Sequence, residues 1–254
     1  MNGITKNVDA TKPVPMPRPV VTVGYAQTLD GRLATSTGSS QWISAPESLR
    51  FSHELRAEHD AIMVGAGTVC MDDPRLTVRL AAGRNPLRVV VDSTLRTPLA
   101  AAVLTEGAAP GTVFAVTDRA PAAKRDKVRA LGATVLCLPT DAGGRVGLIA
   151  LLAALHQMGI GSVLVEGGAQ LITALLQVRL VDRLVVCVAP KILGSGIEAV
   201  GDLGISELAG TMIVTDTSVT PYGADLVFDG RVEYPVTPAM AVESEEGVEC
   251  VTAS

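Results

Sequence analysis

The apolar positions of this chain fall into short unbroken runs separated by longer stretches of helical period. Residues 20–26 (VVTVGYA), 61–66 (AIMVGA), 87–93 (LRVVVDS), 112–118 (TVFAVTD), 134–139 (TVLCLP) and 162–168 (SVLVEGG) read as strands. They are β-branched runs of strand length, bounded by Gly, Pro or Asp. Between them, residues 46–59, 121–133, 148–159 and 169–180 read as helices. In the first helix Ser44 is a candidate cap two residues before Pro46, and Leu49 and Phe51 with Leu55 can share a face. Gly132 and Gly159 stop the second and third. Residues 180–194 supply one more strand, and residues 211–230 read as a closing hairpin turned at Pro221-Tyr222-Gly223. Alternation at this rhythm predicts an α/β fold, a mostly parallel sheet with helices on both faces. The runs are continuous rather than alternating, as they are when a strand is buried on both sides. The last hairpin predicts an antiparallel edge.

Outside this rhythm, residues 1–18 are polar and Pro-rich and are expected as a flexible lead-in. Residues 19–232 are expected as a single domain, and residues 233–254 as a loose acidic tail. A chain of 254 residues can bury a substantial core. Its 48% hydrophobic and 19% charged residues describe a soluble globular protein, and with 3% aromatics the interior must be Ala, Val and Leu. So few aromatics and a net charge of −5 leave neither a stacking platform nor a phosphate-backbone footprint, so no nucleic-acid partner is expected. No apolar run reaches a membrane span and no secretory pattern opens the chain, so a cytoplasmic protein without a membrane partner is expected. Cys70, Cys137, Cys187 and Cys250 lack CxxC spacing and are expected as buried free thiols. His53, His59 and His156 form no ligand spacing with an acid or thiol, so no metal is expected.

Chemistry-bearing residues crowd the carboxyl ends of the expected strands, where open parallel sheets bind ligands. Asp30-Gly31-Arg32, Gly65-Ala66-Gly67-Thr68, Asp92-Ser93, Thr117-Asp118-Arg119 and Glu166-Gly167-Gly168 all fall there. In residues 165–176 (VEGGAQLITALL) a strand runs through two glycines into a helix. Unpaired amides and the positive helix end then face the sheet edge, which suits a phosphate. The same glycines also suit a tight turn that needs positive φ. The GxGxxG fingerprint of an ordinary Rossmann domain is absent. Arg56, Arg75 and Arg79 gather cations near Asp72 and Asp73. A planar guanidinium suits a phosphate monoester, and surface ion pairs with those acids are the alternative. Trp42, the only tryptophan, is either a packing residue or a wall against a planar ligand. Together the loops suit a two-ligand enzyme, with a dinucleotide on the glycine turns and a phosphorylated small molecule on the arginines.

Residues 25–44 (YAQTLDGRLATSTGSSQWIS), 55–79 (LRAEHDAIMVGAGTVCMDDPRLTVR), 86–99 (PLRVVVDSTLRTPL), 163–172 (VLVEGGAQLI) and 181–194 (VDRLVVCVAPKILG) follow one another in a known order and spacing. The chain thereby resembles the reductase domain of riboflavin biosynthesis, the C-terminal half of the bifunctional deaminase–reductase, and its stand-alone pyrimidinone reductase relatives. The resemblance covers residues from about 19 to 230, and the zinc motif of the deaminase half does not occur, so the reductase alone is expected.

The resemblance implies a dihydrofolate reductase-like three-layer sandwich, a homodimer, and NADPH-dependent reduction of a phosphoribosylamino-pyrimidine to its ribitylamino product. Carried over by motif, the dinucleotide touches Ala26, Trp42, Thr68, Asp72 and Ser93. It also touches the helix opening at Gly168, Ala169, Gln170, Leu171, Ile172, Thr173 and Ala174. The substrate is held by Ser40, Arg56, Arg75, Leu76, Arg79 and Glu166, with Arg56 and Arg79 on its 5′-phosphate. Asp72 and Glu166 are the two candidates for a catalytic carboxyl group, and the sequence does not rank them. For the 2′-phosphate of NADPH, Ser93 with Arg96 or Arg119 is the expected partner set.

One position departs from part of the family. Bifunctional members often carry a lysine six residues before the aspartate of the LDG motif, where this chain has Gly24. Stand-alone reductases lack that lysine as well, which tilts the expected substrate toward the diamino-pyrimidinone and away from the deaminated aminouracil. Two other functions compete: a pteridine or pyrimidine reductase of the same fold in folate or secondary metabolism, and a non-catalytic nucleotide-binding module.

Overall fold

In the computed structural model, residues 17–41 and 43–235 are described. The first half contains β1 (Val20–Thr28), β2 (Arg32–Thr35), α1 (Pro46–Glu58), β3 (Ala61–Gly65), α2 (Ala66–Asp72), β4 (Leu87–Val91) and β5 (Thr112–Val116). Then follow α3 (Ala122–Ala130), β6 (Thr134–Cys137), α4 (Leu148–Gln157), β7 (Ser162–Val165) and α5 (Ala169–Gln177). The chain closes with β8 (Arg183–Ala189), β9 (Gly196–Glu198), β10 (Ile213–Tyr222) and β11 (Asp225–Glu233). Trp42, Cys250, and the bulk of the expected lead-in and tail lie outside the described residues.

Nine strands make one sheet in the order β10-β11-β8-β1-β7-β3-β4-β5-β6. Pairing is parallel from β8 through β6, and antiparallel where β11 joins β8 and β10 joins β11. This is the mostly parallel sheet with an antiparallel C-terminal edge that the apolar runs predict. Burial on both faces explains those runs. Met63, Val89, Val113 and Val165 point into one core with Leu151, Leu155, Ile172 and Leu175 of α4 and α5. Their neighbours Ile62, Val64, Val90 and Phe114 point into the other, with Val128 of α3 and Val69 of α2. A third cluster joins Leu55 of α1 to Leu164, Val185 and Val227.

Register creates an opening in this sheet. The pairing of β1 with β7 ends at Val23↔Val165. Beyond it β1 continues to Thr28, paired only with β8. The slot beside Gly24, Tyr25 and Ala26 is therefore not filled by strand. β7 follows β3 to β6 in the chain yet lies between β1 and β3, so its carboxyl end also stands where the winding of the sheet reverses, the usual place for a ligand crevice.

Several expectations are corrected. The cap of α1 is Ala45, not Ser44, and no side chain of the helix's own turn serves it; the amide of Ala45 donates instead to Asp225 Oδ2 at 2.6 Å. Leu49 is 42% exposed rather than packed with Leu55. Cys70 and Cys137 are exposed and Cys187 is half-buried, because Cys70 lies on the outer side of the two-turn α2 and Cys137 on the edge strand β6. The ends are tied down further out than their polarity suggests. Arg18 forks onto Asp182 at 2.7 and 2.8 Å, and the Tyr234 hydroxyl donates to Val181 O at 3.0 Å. The small antiparallel pair β2–β9 has no counterpart in the sequence reading. Among the described residues no helix is long and apolar enough to cross a membrane.

Candidate active site

A cavity of about 930 Å³ fills the slot at the carboxyl edge. Its floor is Gly24, Tyr25 and Ala26 of β1, and its walls come from the ends of β3, β4 and β7. Of the residues expected on the dinucleotide, Ala26, Thr68, Asp72, Ser93, Gly168, Ala169, Gln170, Leu171 and Ala174 all line it. Ile172 does not, being fully buried in the core beneath α5, and Thr173 opens onto a smaller adjoining cavity of about 550 Å³. Trp42 lies outside the described residues.

Two glycine junctions shape the rim. Gly167 and Gly168 both hold left-handed backbone, φ 82 and 87, so the tight-turn requirement and the ligand reading apply to the same residues. The following helix starts at N-cap Gly168 with no side-chain cap, which leaves its first amides to the cavity. The second junction is not a loop: α2 begins directly after β3, with Gly65 as its N-cap. A Cβ added at Gly65 or Gly167 would meet nothing within 4 Å, so bare backbone faces open space at both points. Such a cradle fits a pyrophosphate.

Cations ring one end of the cavity. Arg96, Arg119 and Arg145 line it, from the loops after β4 and β5 and the loop before α4. Ser93 stitches these loops together: its carbonyl accepts from Thr117 N at 3.1 Å, and its Oγ accepts from Val146 N at 3.1 Å. That bond leaves the serine O–H as a donor. Arg119 Nη1 donates to Gly144 O at 3.0 Å, and Arg145 stands 3.5 Å from Asp141. Arg145 is absent from the sequence reading, since an isolated arginine in a Gly-rich turn carries no local signal.

At the other end stands Glu166, whose two oxygens accept from Arg56 Nε and Nη2 at 2.7 and 2.6 Å. Glu166 lines the cavity, whereas Arg56, Arg75, Leu76 and Arg79 are not among its lining residues. Arg56 Nη1 also donates to Thr77 O at 3.1 Å, and Arg79 Nη1 donates to Thr77 Oγ1 at 2.7 Å. Leu76 is buried and holds left-handed backbone, φ 52, between Arg75 and Arg79. Arg75 departs from the set, pairing with Glu106 at 3.1 Å rather than with Asp72 or Asp73. Asp73 Oδ1 instead accepts from Ala102 N at 2.7 Å. Ser40 lines the cavity from the segment after β2.

The two candidate carboxyl groups now differ. Glu166 is committed to a guanidinium. Asp72 has no cationic partner among the described residues, and desolvation at the cavity wall raises its pKa above the ordinary carboxylate value. An acid in that state can carry a proton to a reacting group.

Comparison with known proteins places this arrangement. The chain is 44% identical over 225 residues to the 2,5-diamino-6-ribosylamino-4(3H)-pyrimidinone 5′-phosphate reductase of Methanothermobacter thermautotrophicus, covering 86% of this chain and 99% of that one. It is 40% identical over 211 residues to the riboflavin biosynthesis protein RibD of Aquifex aeolicus, covering 83% of this chain and 57% of that one. It therefore spans little more than half the length of that RibD. Among solved structures, Acinetobacter baumannii RibD superposes with a TM-score of 0.74 at 27% identity, covering 85% of this chain and 58% of that one. The Saccharomyces riboflavin biosynthesis reductase superposes at 0.67 and 25% identity, covering 85% and 90%. The sheet is thus the dihydrofolate reductase-like one that the sequence resemblance implies. With residues 19–228 matching the RibD C-terminal domain, the chain belongs to that family.

Proposed function

We propose that the chain is a reductase of riboflavin biosynthesis that uses NADPH to convert a phosphoribosylamino-pyrimidine to the ribitylamino compound. The observation that carries this reading is the position of Glu166, which lines the dinucleotide-sized cavity and is forked by one of two neighbouring arginines. A sugar phosphate on Arg56 and Arg79 would bring its C1′ toward the same cavity.

Bound in the cavity, a nicotinamide supplies a hydride. The chain's residues supply the rest. The bare edge of Gly24–Ala26 accommodates a flat ring, and the first amides of α5 with Gly65 hold the pyrophosphate. Arg96, Arg119 and Arg145 favour the extra 2′-phosphate of NADPH. Asp72 gives the proton required when the opened C1′=N bond is reduced at carbon and its electron pair passes to nitrogen. Glu166 keeps acceptor positions beyond the two that Arg56 occupies, enough to orient sugar hydroxyls.

The diamino-pyrimidinone is the proposed substrate, because the archaeal relative is named for it and Gly24 leaves no cation on β1 at the cavity. Ile213, Val219 and Leu226, all more than half exposed on the β10–β11 hairpin, support a homodimer. NADPH oxidation followed on the diamino-pyrimidinone and on the aminouracil tests the reading. The diamino compound should be turned over with the higher kcat/KM, and turnover of neither would refute the assignment.

A further inference from the structure

Arg56 and Arg79 come from separate parts of the chain, the last turns of α1 and the segment after Leu76. β3 and α2 lie between them in the chain, and two residues tie them back together. One is Thr77, already described. The other is His53, one turn before Arg56 on α1 and 1% exposed. Its Nδ1 accepts from the backbone N–H of Arg79 at 2.9 Å, and its Nε2 stands 3.4 Å from Arg56 Nη1.

We propose that His53 is a positioning residue for substrate: a neutral imidazole that fixes Arg79 against α1 and so sets Arg56 and Arg79 as a two-cation clamp for the sugar phosphate. This rests on the reading that those arginines take the phosphate.

The geometry selects the form of the ring. An Nδ1 that accepts from a peptide amide carries no proton, so in the neutral ring the proton sits on Nε2. Protonating Nδ1 would break that bond and set a third positive charge between two guanidinium groups. The ring accordingly resists protonation, and its pKa is pushed down to about 4, by burial first and then by Arg56 and Arg79. The arginines themselves repel: the pKa of Arg79 is lowered by burial and then by Arg56 and Arg75, with Glu166 opposing. A phosphate dianion relieves that repulsion, provided the two guanidinium groups are held at one spacing. The imidazole contributes to that by tying the Arg79 backbone to α1, the helix that carries Arg56; its protonated Nε2 and the Arg56 Nη1 donor make no bond, and it adds no charge of its own.

Leucine at this position keeps the bulk and removes the acceptor; asparagine places Oδ1 close to where Nδ1 stands. Kinetics with the phosphorylated substrate and with its dephosphorylated nucleoside separate the clamp from general damage. His53→Leu should raise KM for the phosphorylated substrate about tenfold, the worth of one lost hydrogen bond, and leave kcat and the NADPH Kd within about threefold. The nucleoside's kcat/KM should not move, and His53→Asn should recover most of the loss. Binding of ribose 5-phosphate, measured by calorimetry, should weaken in His53→Leu and not in His53→Asn; this holds even if catalysis is poor. Should His53→Leu not fold, His53→Gln, whose amide oxygen sits nearer the Nε2 position, takes its place against His53→Asn. Equal losses for both substrates, or no change in KM, would overturn the proposal. Wild-type protein that uses both substrates equally well would overturn the phosphate assignment of the arginines, and the clamp with it.

Discussion

Arg56 and Glu166 lie 110 residues apart and meet in a two-point ion pair at 2.7 and 2.6 Å, with side chains only 12% and 18% exposed. The pair links a residue that lines the glycine-edged cavity to the arginine segment, whose residues do not line it. Removing either partner strands a part-buried charge, which costs on the order of 3 kcal/mol. Glu166→Gln and Arg56→Met should each lower stability in urea unfolding, while the double variant, with no charge left unpaired, should recover part of it. Activity should stay at least about a hundredfold down in all three, since orientation of the sugar is lost in each. A double variant no more stable than the singles would show that the two charges are not coupled.

Asp72 is expected to act as the acid, and the sign of its pH dependence follows. Its pKa is raised by desolvation. A proton donor works while protonated, so kcat should fall as pH rises through the raised value. Asp72→Asn should cost roughly 10²- to 10⁴-fold in kcat and abolish that alkaline decline. The check is a pH series of kcat at saturating substrate. A decline that persists in the variant would assign the proton to another group.

The glycine junctions separate strain from occupancy. Gly168 has φ 87, and a Cβ there would lie 3.5 Å from Thr68 Oγ1, an ordinary contact. Gly168→Ala should therefore cost about 1–2 kcal/mol of stability from backbone strain alone. Gly65 has φ −78, open to any residue, with nothing within 4 Å of an added Cβ. Gly65→Ala should leave the melting temperature unchanged or slightly higher, yet weaken dinucleotide binding, because its methyl group would occupy the cradle. Unaltered affinity in Gly65→Ala would place the pyrophosphate elsewhere.

Why some of this was legible in the sequence is a matter of range. The central strands announced themselves because residues such as Ile62 and Met63 are buried on opposite faces, so both had to be apolar. The glycine-to-helix junction at 167–169 was visible because strand, turn and helix are contiguous. β2 and β9 were not, since Arg32 pairs with Glu198 and neither segment is apolar or long. Ser44 was a reasonable cap by local rules, and was displaced because Asp225 reaches the Ala45 amide from 180 residues away. His53 looked like a lone histidine on a helix; its partner amide belongs to Arg79, 26 residues on. Arg145 carried no pattern at all, and its place is set by Asp141 and by the Ser93–Val146 bond.

The three arginines at the far end of the cavity bear on the choice of cofactor. Arg96, Arg119 and Arg145 approach from three loops, and the Ser93 hydroxyl ties two of those loops together. NADPH and NADH differ only in a 2′-phosphate, so a residue that contacts that group should affect one and not the other. A charge-assisted hydrogen bond is worth about 1.5–3 kcal/mol, or roughly ten- to a hundredfold in affinity. Replacing whichever of the three contacts the phosphate with alanine should raise KM for NADPH by that factor and leave KM for NADH within about twofold. Arg119 and Arg145 are also held by neighbours, Gly144 O and Asp141. Steady-state kinetics with both cofactors on the three alanine variants gives the discrimination directly. If every variant shifts NADPH and NADH equally, the cations serve the shared pyrophosphate or the fold, and the proposed 2′-phosphate contact is refuted.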